Sequence, residues 1–233
     1  MRQPRRDYFH IHTWRCGHAQ MVSEEAYIRK AILRGGKTIT FCDHAPFPGD
    51  PFGGRMLMHQ LPDYVNTLKR LKQKYKRWIQ VNIGLEIEYF PEYADYYRGL
   101  HESGNFDVLV LGQHFYQAAP GLYSTSLDPA VSKANHARQC AAAMVEGMAT
   151  GYFGVVAHPD RIFMYETEFT PELERIAQRV ITAAQMFGVT MEKNLSTMAR
   201  TRQYFPRFWR MIPRDVKTVQ GLDAHQLKHM KRK

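Results

Sequence analysis

Imidazole and carboxylate side chains recur along this sequence at spacings suited to metal ions. His10 and His12 stand two apart, and His18 closes the segment HIHTWRCGH. Asp43 and His44 adjoin, and Glu86, His114, His158 with Asp160, and Asp223 with His225 follow later. Imidazole and carboxylate together suit zinc, manganese or iron, and a shared carboxylate can hold two such ions about 3.5–4 Å apart, the separation hydrolytic centres use. A bridging carboxylate favours hydrolysis over a structural zinc site, which four ligands would close. Cys16 and Cys42 lie beside these histidines, but a full nitrogen and oxygen set leaves their thiols surplus. Any one histidine here is most simply a structural residue; the set is not.

The elements that must position these residues alternate. β-rich runs over 8–12, 38–42, 80–86, 108–113, 155–158, 189–194 and 216–221 are predicted strands. Between them lie one-faced helical patterns, such as Leu61, Val65, Leu68, Leu71 and Tyr75, or Leu173, Ile176, Val180, Ala183 and Phe187. Ser23 can cap a helix that Gly35 and Gly36 stop, Pro62 and Pro171 suit first helical turns, and 116–128 reads as a loop. Strand, crossover helix and strand, repeated, specify a parallel sheet with right-handed connections, and seven units suit a barrel better than an open sheet. Working residues of such a barrel belong at the C-terminal ends of its strands. Seven of the eleven histidines fall there. His10 and His12, two apart on the first strand, are expected to leave the same face.

A length of 233 residues suits one domain over 1–233, with a basic tail from about residue 226. Three cysteines argue against a disulfide framework. No run approaches the roughly 18 apolar residues of a membrane span, and the start lacks the apolar stretch of a secretory signal, so a cytoplasmic enzyme without membrane attachment is expected. The net charge of +10 gathers in 69–77, 200–214 and the terminal KHMKRK. It would draw anions, whether a phosphorylated small molecule or nucleic acid, although such runs are usually solvated helix faces.

HIHTWRCGHA, CDHAPFP, GLEIEY, GQHF, AHPDRI, EKN and GLDAH, in this order and over nearly the whole chain, resemble the motifs of the PHP superfamily, and most closely those of its monofunctional histidinol-phosphate phosphatases. The resemblance implies a distorted seven-stranded (β/α)7 barrel of the PHP type holding three divalent ions. The first would take His10, His12, Glu86 and Asp223, the second Glu86, His114 and His158, and the third His18, His44 and His225. Glu86 and Asp223 would be catalytic through these ions, with a hydroxide bridging the first pair as nucleophile. Cys42 and Asp43 replace the family's usual hydroxyl residue and acid before the second-motif histidine, and Leu222 replaces a serine before the final aspartate. Those positions bear on hydrogen bonds around the ligands, not on the ligands.

Arg161, directly after the HPD triplet, is the first candidate for a bidentate contact to phosphate and so for a catalytic and substrate-binding role; Arg55 is the second. Asp43, Asp160, Glu192 and Asn194 read as groups that support the ligands or face the substrate, and His59, His101, His136 and His229 carry no assignment. The favoured activity is hydrolysis of L-histidinol phosphate, a small phosphorylated substrate, in histidine synthesis. A PHP-type nuclease, or a phosphatase for nucleotides or other small molecules, is the alternative, and a non-catalytic metal-binding module the third. A nuclease needs an exposed basic groove with aromatic platforms, whereas the aromatic residues here sit mostly at strand and helix-core positions.

Overall fold

A computed structural model describes residues 7–200 and 205–230, apart from Ser126, Pro129, Val131 and Thr167. The arginines of the first six residues, Arg202 and the last three residues of the basic tail lie outside the described residues. Seven parallel strands close a barrel in the order β1 (Asp7–Ile11), β2 (Thr38–His44), β3 (Gln80–Ile87), β4 (Val108–Leu111), β7 (Val155–Val156), β8 (Thr190–Asn194) and β9 (Thr218–Ala224). Every predicted strand is present, with ends shifted by a few residues. Helices α1 (Glu24–Leu33), α2 (Leu61–Tyr75), α3 (Ala94–Glu102), α4 (Lys133–Ala149) and α5 (Pro171–Phe187) supply most of the connections, and the short α6 (Leu195–Arg200) and α7 (Phe205–Arg210) follow β8. No helix among the described residues is long and apolar enough to cross a membrane.

The chain packs as two compact units. The first holds the residues up to Glu86, Ser103–Val108 and the chain from Gly221 on; the second holds Ile87–Glu102 and Leu109–Gln220. Within the first, β1 pairs with β2 and β9, and β2 with β3 in unbroken register from Thr38↔Gln80 to His44↔Glu86. α2 buries Tyr64, Val65, Leu68, Leu71 and Tyr75 at helical spacing. The Tyr64 hydroxyl donates to the Gly84 carbonyl at 2.8 Å and lies 3.5 Å from the Asp43 amide. One buried phenol thereby fixes α2 against β2 and β3 beside the residues that carry the chemistry. In the second unit β4 pairs with β7 and β7 with β8. There α5 begins at Pro171 under a Thr170 cap, and Gly188, at φ 67°, ends it.

Two local expectations fail. The 116–128 segment is not a plain loop: β5 (Phe115–Ala119) and β6 (Leu122–Thr125) form an antiparallel hairpin. Pro120 and Gly121, the latter at φ 73°, make its turn, so the residues that suggested a loop are the turn itself, flanked by strand formers. Ser23 stands at the N-cap of α1 but makes no side-chain capping bond. Its carbonyl accepts the Ala26 amide at 3.0 Å instead.

Candidate active site

In the first unit the strand ends deliver His10, His12, Asp43, His44, Glu86, Asp223 and His225 to one place, and a short helical turn adds His18. That turn, Trp14–Cys16, is capped by the Thr13 hydroxyl, which accepts the Arg15 amide at 3.3 Å and itself donates to Asp43. Arg15 binds Glu24 and Asp63 and lies over the Trp14 ring. Gly17, at φ 79°, then reverses the chain and presents His18.

Glu86 is the convergence point. Its Oε2 lies 3.2 Å from His10 Nε2, 3.5 Å from His12 Nε2 and 3.0 Å from His44 Nδ1. His12 Nε2 is also 3.3 Å from Asp223 Oδ1, while its Nδ1 faces Asp43 Oδ1 at 3.6 Å. The His12 and His225 rings stack at 4.0 Å, and His18 stacks on His225 at 4.6 Å. Potential ligand atoms of His10, His12 and Glu86 fall within 4.8 Å of one another, as do those of His18, His44 and His225.

Hydrogen bonding selects the ring nitrogen that His18 and His225 offer. His18 Nδ1 is 3.0 Å from the Cys16 carbonyl and His225 Nδ1 is 3.1 Å from the Asp223 carbonyl. A carbonyl only accepts, so Nδ1 carries the hydrogen and Nε2 keeps its lone pair. His225 Nε2 is buried with no hydrogen-bond partner among the described residues, as are both His12 ring nitrogens. Unpartnered ring nitrogens beside buried carboxylates are what a cation site leaves when only protein groups are counted.

The electrostatics agree. Burial alone would push the His12 pKa down, but the Asp223 and Asp43 carboxylates outweigh it and raise the ring to about 9. Asp223 is held well below the usual carboxylate range, because the histidines around it outweigh the opposing effect of its burial. His225 is pushed down to about 3, chiefly by burial and then by His12. Three carboxylates thus draw positive charge to His12, and a divalent ion among the same donors would meet that demand. Cys16 comes within ligand distance of His12 and His225. Its thiol donates to the Thr13 carbonyl at 3.2 Å, and burial pushes its pKa up to about 12, which favours the thiol over the thiolate a metal needs.

Backbone strain falls largely on candidate ligands. Among the described residues, those other than glycine with positive φ are His10 (68°), Asp50 (47°), His158 (30°) and Asp223 (49°). Three of them are candidate ligands, and strain of about 1–3 kcal/mol per residue persists only where surrounding structure over-determines it. The register of β1 shifts against β2 and β9 across His10. His10 and His12 do converge, with ring centroids 4.9 Å apart, but simple alternation does not bring them together. A bulge re-aims His10.

The second unit carries the remaining candidates. His114 follows β4, and Glu88, which the sequence reading passed over, holds it: one carboxylate oxygen lies 2.8 Å from His114 Nδ1 and the other accepts the His114 amide at 2.7 Å. This carboxylate–imidazole pairing fixes the ring and leaves Nε2 for an ion. The repeat of Glu86 and Glu88 two apart in GLEIEY was the available signal. The His114 and His158 rings are 4.9 Å apart. Glu192 accepts the His158 amide at 3.0 Å, which helps set the unusual φ there. Asn194 accepts the Ser196 and Thr197 amides and so starts α6. Burial pushes Asp160 up to about 7, and its Oδ2 accepts the Trp209 indole N–H at 3.3 Å.

Arg161 opens a short helical turn after His158 and lines a cavity of about 140 Å³ with Gln113, His114, His136 and Tyr165. It forms no ion pair among the described residues, so its guanidinium is available to an anion. Arg55 is placed differently. It is 8% exposed, donates to the Ala45 carbonyl at 3.2 Å and lies over the Phe47 and Phe52 rings. Its guanidinium organises the loop after β2.

Glu88→Gln tests this reading of His114. Gln keeps the volume but loses the charge and one acceptor, so affinity for an ion at His114 should fall about 10–100-fold. Calorimetric titration of the metal-free protein with zinc reads the change, and wild-type affinity in the variant would show that Glu88 does not orient the ring.

Residues 8–196 match the PHP domain family. A histidinol-phosphatase of Bacillus subtilis (strain 168) is 33% identical over 92 residues, 37% of this chain and 34% of that protein. The chain thus spans about a third of the length of this curated relative. A solved histidinol phosphatase described as putative, from Listeria monocytogenes, superposes with a TM-score of 0.78 at 17% identity, covering 97% of each chain. The histidinol phosphate phosphatase of Lactococcus lactis subsp. lactis Il1403, solved with zinc, L-histidinol and phosphate, superposes with a TM-score of 0.77 at 20% identity, covering 98% of this chain and 88% of that one. At these identities the solved structures establish the shared fold. With a match that reaches from the first strand into α6 and takes in every strand-end cluster but the last, the chain belongs to the PHP domain family.

Proposed function

We propose that this chain is a metal-dependent phosphomonoesterase that hydrolyses L-histidinol phosphate to L-histidinol and phosphate. The observation that carries the reading is the convergence of His10, His12 and His44 on one Glu86 oxygen, with Asp223 beside them. The family resemblance implies three divalent ions, whether zinc, manganese or iron, with His10, His12, Glu86 and Asp223 at the first, Glu86, His114 and His158 at the second, and His18, His44 and His225 at the third, and these donor types suit such ions. Bound ions of this kind ready water for attack near neutral pH and neutralise the phosphoryl oxygens.

The chain's own side chains do the rest. Glu88 and the Cys16 and Asp223 carbonyls hold imidazoles in the orientation that spares Nε2. Arg161 grips two phosphate oxygens through its planar fork and so orients the ester. The names of the relatives, and the L-histidinol and phosphate in the Lactococcus structure, support the choice of substrate.

The net charge of +10 favours a second reading, a nuclease on the same centre. In the 69–77 segment three of the basic side chains are engaged within the fold: Lys69 donates to Asn105, Lys72 pairs with Asp107 and Lys74 with Glu25. Phosphate release from histidinol phosphate, nucleotides, sugar phosphates and short oligonucleotides separates the two. Arg161→Met should raise KM for histidinol phosphate roughly ten- to a hundredfold, the value of a charged hydrogen-bonded contact, and leave metal content unchanged. Neutralising Lys69, Arg70, Lys72 and Lys74 together should spare that activity. Robust oligonucleotide cleavage that the lysine changes abolish, without turnover of histidinol phosphate, would overturn the proposed substrate and favour nucleic acid.

A further inference from the structure

Buried polar groups gather in the second unit, around the peptide step from His114 to Phe115, between β4 and β5, and all but Glu88 have no part in the chemistry above. All four backbone groups of these two residues are bound by side chains. Glu88 accepts the His114 amide at 2.7 Å and the Phe115 amide at 3.3 Å. The Phe115 carbonyl accepts from Gln113 Nε2 at 2.7 Å, with the Cys140 thiol farther off at 3.7 Å. The His114 carbonyl lies 3.3 Å from His136 Nε2. A carbonyl cannot donate, so the His136 hydrogen is on Nε2.

We infer that His136 is a positioning residue for His114, acting from α4 on the backbone as Glu88 acts on the ring. The inference rests on the reading that His114 binds an ion. Glu88 fixes the ring and the peptide plane before His114, and reaches only the N–H side of the plane after it, at 3.3 Å. The plane after it turns about a separate bond, and His136 holds its oxygen. His136 can do so because it is itself fixed: it is 4% exposed, in the first turn of a 17-residue helix, with Tyr116 edge-on to its ring at 6.0 Å and Cys140, one turn on, 3.4 Å from Nε2. It also lines the cavity that Arg161 and His114 share. Groups that orient a metal-ligating histidine are commonly worth 10–100-fold in affinity, so the residue that completes the clamp should show in metal binding and not only in folding.

The test is a zinc titration of metal-free wild type and variants in competition with a chromophoric chelator, with melting temperature and steady-state kinetics measured alongside. His136→Leu removes the donor; one of the bound ions should weaken about 10–100-fold, and kcat should fall with little change in KM. His136→Gln keeps an N–H donor and should recover most of both. Met144→Ala, a cavity change in the buried face of the same helix, should lower the melting temperature yet keep wild-type zinc affinity. Wild-type zinc binding in His136→Leu would overturn the inference while leaving the proposed function standing. Equal zinc losses in His136→Gln and His136→Leu, or in Met144→Ala and His136→Leu, would reduce His136 to packing and overturn it too. Wild type that takes up no zinc would defeat the metal reading itself, and this inference with it.

Discussion

Glu86→Gln should lower turnover of histidinol phosphate by orders of magnitude and release metal, in a protein that remains folded. The substitution keeps shape and removes the negative charge toward which three imidazole nitrogens point, at 3.0–3.5 Å from a single oxygen. Two cations held close need that charge between them, and an amide supplies one weak acceptor in its place. Elemental analysis of gently purified wild type should find more than one transition ion per chain, ideally about three, and the variant should hold fewer. The control is His59→Ala, on an exposed short turn, which should cost little in either measurement. Equal losses from the two substitutions would remove the case for Glu86 as a bridge. A fully active wild-type preparation holding one ion or none would sink the multinuclear centre.

Gly84→Ala should destabilise the fold and disturb the same centre from behind. A Cβ at Gly84 would stand 2.9 Å from the Phe41 carbonyl oxygen, the Val108 carbonyl oxygen and Val108 Cγ1. Two of these atoms are backbone on either side of β3, so no rotamer change relieves the clash; strands must separate. Overpacking of this kind costs about 1–3 kcal/mol, and in a chain of this size each kcal/mol lowers the melting temperature by roughly 2–4 °C. Glu86 is two residues farther along the strand, so zinc affinity should fall as well. A Gly84→Ala protein that melts with wild type would show that β3 has room the packing does not reveal. Gly147 in α4, where an added Cβ would meet Leu111 Cδ2 at 2.9 Å and Tyr89 at 3.1 Å, meets side chains instead and should tolerate alanine better.

The barrel was legible because its signal is local. β-rich runs, one-faced helices and the prolines and glycines at their ends each occupy a few consecutive residues, and all seven strands stand where those patterns put them. The PGL turn inside 116–128 was equally local, but a Gly, Pro and Ser composition outweighed the strand formers Phe115, Tyr116, Leu122 and Tyr123 flanking it.

The sequence by itself determined the donor types and the ends of the strands that carry them: His10, His12, His44, Glu86, His114, His158, Asp223 and His225 are histidines and acids at strand ends whatever their surroundings. Only the tertiary structure decided which ring nitrogen His18, His114 and His225 offer and where the donors point. Asp43 meets His12, Glu88 meets His114 and Glu192 meets the His158 amide across sequence separations that no period connects. The positive φ at His10, His158 and Asp223 is likewise not a preference of those residue types. Left to themselves they avoid it, and they adopt it because packed neighbours on both sides allow no alternative.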